Sequence, residues 1–344
     1  MNGPLVSVVV PAYQAASHIR ETLDSVYAQT YQNFEIVLVN DGSPDTEELE
    51  QAIRGYDERL IYIKQENQGP SGARNTGILA AHGKYIGCLD SDDVYLPDHL
   101  ARLVSLLEEE GLDLAYSDLY ITENGLRVRR YFEREPQNPP ITFEKLLTEE
   151  CTVACSATVA SRQAMIDAGL FDLRFWRCED FDLWLRMSFR GAKMGLVNQV
   201  GVDYRPDPDG LAADRHLLKL GRIEVYKKML TLPLSQKQVE LVEALIARTE
   251  GLSQMDLVKR YILAGRNADA RKAAGKAATL LRGPRNWGAA LVVWIAPWAF
   301  RWFLQARNAR LAGRGEPGIP LVTSEETKNG NIRLESKEMG TKHS

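Results

Sequence analysis

The chain has 344 residues, 44% of them hydrophobic and 26% charged, with a net charge of -4. That balance excludes a disordered or low-complexity chain and leaves room for two or three units of ordinary domain size. The small net charge hides an asymmetry: residues 214–312 hold 18 Lys/Arg against 7 Asp/Glu, so this region carries +11 and the remainder -15.

A basic C-terminal third on an otherwise acidic protein points to a polyanionic surface, with membrane lipid and nucleic acid as the two candidates. Cys88, Cys151, Cys155 and Cys178 lie at no metal-ligand spacing, and no charged n-region with an apolar h-region follows Met1. The expectation is free thiols in a reducing cytoplasm.

Leu5–Val10 is a nearly continuous apolar, β-branched run, the pattern of a central parallel strand covered on both faces, and Pro11-Ala12-Tyr13 ends it. Ile19, Leu23, Val26 and Tyr27 recur at helical spacing. Phe34–Val39 is the next strand, opening into Asn40-Asp41-Gly42-Ser43, and Leu60–Ile63 is the third. Repeated β-α-β alternation predicts a parallel sheet with its ligand crevice at the strands' C-terminal ends, where these loops converge.

Glu66–Gly77 is a glycine-rich turn feeding a helix; Gly69, the helix N-terminus and Arg74 suit a diphosphate. Neither G-x-G-x-x-G nor G-x-x-x-x-G-K-[ST] occurs at this turn, which argues against a dinucleotide oxidoreductase and a P-loop NTPase. The strand Lys84–Leu89 then runs into Asp90-Ser91-Asp92-Asp93. Three carboxylates in four positions repel, a cost that a divalent cation reverses, and oxygen-only donors suit Mg or Mn that share their shell with substrate phosphates.

Further on, Leu112–Ile121 reads as a strand and residues 122–140 as a surface loop or hairpin. In Cys178–Met187, taken as a helix, Asp182 and Arg186 pair at i, i+4, which leaves Asp180 beside Leu183, Trp184 and Met187. Desolvation there raises the pKa of Asp180 and makes it the better proton acceptor. Trp184 is either a sugar platform or core.

Val8–Tyr13, Gln29–Ser43, Gly72–Gly77 and Leu89–Asp93 resemble, in order and spacing, family 2 glycosyltransferases of the GT-A fold, over roughly residues 5 to 205. The resemblance implies a Rossmann-like nucleotide-binding half (1–105) merged with an acceptor-binding half (106–213). It implies that Asp41 holds the uracil of a UDP-sugar, that Pro11, Ala12 and Tyr13 line the nucleoside pocket and that Asp92 ligates the metal. Asp90 and Ser91 then face the donor, Asp93 and Glu179 support the site, and Asp180 is the general base. An Asx turn is a second role open to Asp41.

Past residue 213 the alternation stops. Leu217–Leu230, Val239–Ala247 and Leu257–Ala264 read as consecutive helices. Residues 287–304 read as one helix, either lying in a membrane interface or packing on the catalytic domain, because the apolar run of 14 falls short of the roughly 20 residues a span requires. Residues 313–344 read as a disordered tail. Together these features predict an inverting, metal-dependent transferase of a hexosyl or N-acetylhexosaminyl group from a UDP-sugar to a saccharide or lipid-linked hydroxyl in envelope glycan synthesis. The protein would be cytoplasmic, at the inner face of the cell membrane, and would bind no nucleic acid. A nucleotidyltransferase and a non-catalytic nucleotide-sugar-binding protein are the alternatives.

Overall fold

The computed structural model describes residues 3–135, 137–207, 210, 213–312 and 319. The chain forms two compact units, Met1–Ala213 with Lys228–Gln238, and Asp214–Lys227 with the residues from Val239 onward.

In the first unit, in chain order, are β1 (Val6–Ala12), α1 (Ile19–Tyr27), β2 (Phe34–Asp41), α2 (Thr46–Ala52), β3 (Leu60–Gln65), α3 (Gly69–Ala80), β4 (Tyr85–Cys88), β5 (Val94–Tyr95) and α4 (His99–Glu110). Then come β6 (Leu114–Glu123), β7 (Leu126–Arg130), α5 (Phe143–Leu147), β8 (Thr158–Ser161) after a 3-10 turn at Cys155–Ala157, α6 (Arg162–Asp167), α7 (Glu179–Phe189) and β9 (Met194–Tyr204). One sheet runs in the order β3-β2-β1-β4-β8-β6-β9-β5, with β7 paired to β6.

The N-terminal half follows the sequence pattern. Strands β3, β2, β1 and β4 are mutually parallel, and Val8, Val9 and Val10 are all fully buried because helices cover both faces of β1. Burying each such side chain contributes about 1.5–3 kcal/mol. On one face Ile19, Leu23 and Val26 of α1 join Leu100 and Leu103 of α4 in a single core. On the other, α3 lies so close to the sheet that a Cβ on Gly77 would stand 2.4 Å from Val9 Cγ1, so only glycine fits.

Beyond β4 the sheet departs from the all-parallel pattern. Strand β8 is antiparallel to β4 and to β6, while β9 runs parallel to β6. The stretch 122–140 begins as the β6–β7 hairpin. None of the four cysteines is in a disulfide.

The second unit is helical: α8 (Arg215–Met229), whose last two residues belong to the first unit, α9 (Gln236–Leu263), α10 (Asn267–Leu281), α11 (Pro284–Ile295) and α12 (Pro297–Ala312). Helix α9 is one continuous helix where the sequence suggested two. Its interior lacks an apolar stripe, and Gly251 is accommodated because Leu281 packs over it, with Cγ 2.5 Å from where a Cβ would lie. The stretch 287–304 is two helices and not one: Ala296 adopts φ -135°, ψ 60°, and Pro297, lacking an N–H, starts the next. The tail at 313–344 lies, except for Ile319, outside the described residues.

Candidate functional site

Because β1, β2 and β4 are parallel neighbours, Pro11-Ala12-Tyr13, Asn40-Asp41-Gly42-Ser43 and Asp90-Ser91-Asp92-Asp93 all emerge at the same end of the sheet. The loops are tied to one another. Gln14 N–H donates to Ser43 Oγ at 2.6 Å, Ala16 N–H to Asp45 Oδ2 at 2.9 Å, and Thr22 Oγ1 donates to the carbonyls of Ser91 and Asp93, each at 2.9 Å. Tyr13 is left 41% exposed, an aromatic face at the rim.

The side chain that caps the turn after β2 is that of Asn40, whose Oδ1 accepts from Ser43 N–H at 2.9 Å. That leaves Asp41 for other partners: its buried Oδ1 accepts from Gln65 Nε2 at 2.7 Å and from the Gln68 N–H at 2.9 Å. These bonds fix the carboxyl against the start of α3. Gly42 has φ +65°, and a Cβ there would meet Asn67 N at 2.8 Å, so the close approach of the two loops requires glycine.

Helix α3 is joined to the segment preceding α7. Asn75 Nδ2 donates to the Phe171 carbonyl at 2.8 Å and Phe171 N–H returns a bond to Asn75 Oδ1 at 2.9 Å. Arg74, buried and 5.4 Å from the Phe171 ring centroid, donates to Asp90 Oδ1 at 2.6 Å and to Glu179 Oε1 at 2.8 Å. Its guanidinium is therefore engaged by two carboxylates. The Arg74–Glu179 contact is long-range and has no signature in local spacing.

Asp180 begins α7 with its Oδ1 accepting the Phe181 N–H at 2.7 Å. Burial, and then the neighbouring Glu179, push its carboxyl up to about 7. Asp182 is paired as its spacing predicts, with Arg186 Nε at 2.9 Å, and also with Lys228 Nζ at 2.8 Å. So two carboxylates two residues apart differ in their surroundings: Asp182 is fully buried between two cations, and the Asp180 carboxyl is pushed up by burial.

At the acidic turn, burial followed by repulsion from Asp90 raises Asp92 to about 6 and moves the buried Asp93 upward, with Asp92 adding to the effect on Asp93. Among the described residues no three His, Cys, Asp or Glu side chains form a closed metal shell. The donors present still fit Mg or Mn, since a partly buried carboxylate crowded by another favours a cation that completes its shell with phosphate oxygens.

Three contributors escaped sequence reasoning. Arg205, just past β9, donates its N–H to Asp93 Oδ1 at 3.0 Å and its guanidinium to the Asp92 carbonyl and Glu21. Tyr204 beside it is raised by burial, and next by Asp93. Trp176, 46% exposed, lies against Gly69, whose φ is +74° and whose missing Cβ would stand 3.3 Å from the indole. The Tyr-Arg-Pro run closing a strand was the available signal for the first two. Trp184, by contrast, is 1% exposed and packs edge-on to Phe171 at 6.2 Å, so it is core and no sugar platform.

Comparison with known proteins agrees with this geometry. Residues 7–168 match the model of Glycosyl transferase family 2. The chain is 31% identical over 213 residues to the UDP-Glc:alpha-D-GlcNAc-diphosphoundecaprenol beta-1,3-glucosyltransferase WfaP of Escherichia coli, covering 61% of this chain and 81% of that protein. It is 32% identical to an uncharacterized glycosyltransferase of Rickettsia prowazekii, over 59% of this chain but 64% of the relative's length, and 33% identical to one of Rickettsia felis over 31% of that protein.

Among solved structures, S. aureus TarS 1-349 in complex with UDP-GlcNAc superposes with a TM-score of 0.59 at 16% identity, over 90% of this chain and 92% of that one. The mannosyltransferase PcManGT of Pyrobaculum calidifontis, solved with GDP-Man and Mn2+, gives 0.55 at 17% identity, over 91% and 87%. These likenesses show the fold: a mixed α/β GT-A sheet followed by a helical C-terminal region. The fold, the ordered motifs and the relative matched over four-fifths of its length agree, and the chain belongs to family 2 of the glycosyl transferases.

Proposed function

We propose that the protein transfers a hexosyl or N-acetylhexosaminyl group from a UDP-sugar to a hydroxyl acceptor with inversion at the anomeric carbon. The observation that carries this reading is Asp180, a carboxyl raised to about 7 at the start of α7, next to the Arg74–Glu179 pair and on the side of the sheet where the donor loops emerge. In this scheme Asp180 removes the acceptor's proton as its oxygen attacks the anomeric carbon from the side opposite the diphosphate. The C–O bond to the sugar forms as the bond to the nucleoside diphosphate breaks.

The other residues bind and orient. Asp41, held by Gln65 and Gln68, recognises the uracil; Pro11, Ala12 and Tyr13 line the nucleoside pocket; Gly69 and Ser91 bring backbone close to the donor. Arg74 acts through Asp90 and Glu179, keeping one aimed at the donor and the other beside the base. Asp92, with Asp93 behind it, would hold Mn or Mg. When bound, such an ion would neutralise charge that develops on the departing diphosphate.

WfaP, by its name, acts on a sugar diphosphoundecaprenol, which favours a lipid-linked saccharide as acceptor and a role in envelope glycan assembly. Such an acceptor is met at the inner face of the cell membrane, in keeping with the basic C-terminal region. A panel of UDP- and GDP-sugars, each with and without Mn2+, tests the reading. Turnover of one UDP-sugar with an inverted product is expected; a product of retained configuration, or no turnover of any UDP-sugar, overturns it.

A further inference from the structure

Helices α11 and α12 are apolar on two opposite sides. One side closes the small core of the second unit: Ala290, Val293 and Leu304 are buried against Val258, Ile262 and the alanines of α10. The other side faces outward. Leu291, Trp294 and Ile295 recur at i, i+3, i+4 on α11 and are 57–72% exposed, and Trp298, Trp302 and Phe303 of α12 are 56–75% exposed. A helix that shields its core on one side and faces water on the other carries polar residues outward. On α11 the exposed Leu291, Val292, Trp294 and Ile295 are all apolar, and on α12 Trp298, Trp302 and Phe303 are exposed beside Gln305, Arg307 and Arg310.

Charge tells what covers the patch. Residues 270–312 contain eight Lys/Arg and no Asp or Glu. Lys272, Lys276, Arg307 and Arg310 are exposed, and the Arg271 guanidinium lies 5.8 Å from the Trp294 ring centroid. Two copies of so basic a segment repel each other, and a nucleic acid would leave the indoles and Ile295 in water. An anionic bilayer surface satisfies both, taking aromatic and aliphatic side chains at the headgroup boundary and cations at the phosphates. Among the described residues no helix is long and apolar enough to cross a membrane, so the geometry is that of a helix pair lying in the interface plane.

We propose that the outer face of α11 and α12 is a docking surface for anionic phospholipid, with Trp294, Ile295, Trp298, Trp302 and Phe303 inserted and the flanking Lys and Arg on the headgroups. It deepens the reading of a membrane-borne acceptor, yet its test is independent of sugar transfer. The full chain is floated with phosphatidylcholine vesicles with and without phosphatidylglycerol. Binding is expected to the anionic vesicles, falling as salt rises, with quenching of intrinsic tryptophan fluorescence when the phosphatidylglycerol is brominated.

Trp298→Glu with Trp302→Glu should weaken binding roughly tenfold or more at an unchanged circular dichroism spectrum. Arg307→Glu with Arg310→Glu should weaken it on anionic vesicles alone. The proposal is overturned if the native chain shows neither flotation nor quenching. It is equally overturned if both double variants float like the native chain, or if sedimentation reveals a stable dimer that the Trp298→Glu, Trp302→Glu pair dissociates while lipid binding is absent. Loss of transfer with lipid binding intact would count against the catalytic reading and not against this surface.

Discussion

Arg74 and Glu179, 105 positions apart in the chain, form a 2.8 Å ion pair that joins the donor-side helix α3 to the helix carrying Asp180. Asp90 shares the same guanidinium. Through Glu179, the position of Asp180 thus depends on an arginine that the sequence alone assigns to a diphosphate.

Replacing Arg74 by Ala removes the cation from two carboxylates that already raise Asp180. Allowing for the partial exposure of Asp90, the stability loss should be about 3 kcal/mol, read by urea unfolding. The pH midpoint of residual activity should move above that of the native enzyme, since Arg74 lowers the Asp180 pKa. A lost rate with an unmoved midpoint would mean that Arg74 does not act through Asp180.

Asp180→Asn should cut transfer by roughly 100- to 10,000-fold while calorimetry still detects UDP binding. The same change should stabilise the fold at alkaline pH. A carboxyl raised from 3.8 to about 7 carries no penalty below pH 3.8, a growing one between these values and the full one above about 7. The gain, roughly 1–2 kcal/mol at pH 8 and absent at pH 3, is measured as the difference in thermal unfolding.

For the native enzyme, kcat/KM should rise with pH and reach half its plateau near 7, because the base acts only when deprotonated. Below that midpoint the rate should drop about tenfold per pH unit. A kcat/KM profile that stays flat from pH 5 to 8 would remove Asp180 from the proton transfer.

Chelation should abolish activity, and added Mn2+ should restore it. Asp92→Asn should lose that response and bind UDP with Mn2+ roughly tenfold or more weakly, with little change in folding stability, because it relieves repulsion with Asp90. Metal-independent turnover in both proteins would contradict a cation at the acidic turn.

Trp176→Ala should raise KM for donor or acceptor roughly tenfold with an almost unchanged melting temperature, since the indole is half-exposed and its loss opens no core cavity. Trp184→Ala should do the reverse, costing about 3–5 kcal/mol of stability.

The N-terminal half was legible because its physics is periodic. Val8–Val10 could be read as a doubly covered strand, and the loops after β1, β2 and β4 then had to share one end of the sheet. The upward shift of the Asp180 carboxyl was legible for a similar reason: helical spacing paired Asp182 with Arg186 and left Asp180 among apolar neighbours. The partners of Arg74, the bonds of Arg205 to Asp92 and Asp93, and Trp176 over Gly69 were not legible. All but the Arg74–Asp90 contact join segments about a hundred residues apart, and no local period encodes such a contact. The single helix read over 287–304 failed for another reason: hydropathy is continuous through Pro297, but the backbone is not.

Lys228 lies beyond the last strand of the sheet, on a segment, Lys228–Gln238, that belongs to the first unit although the residues just before it do not. Its ammonium stands 2.8 Å from both Asp172 and Asp182, and Gln238 reaches Glu144 at the same distance. Shortening the gene after codon 213, where the strand-and-helix pattern ends, would leave Asp172 and Asp182 with one counter-charge fewer. A piece that keeps the first unit whole therefore extends to residue 238.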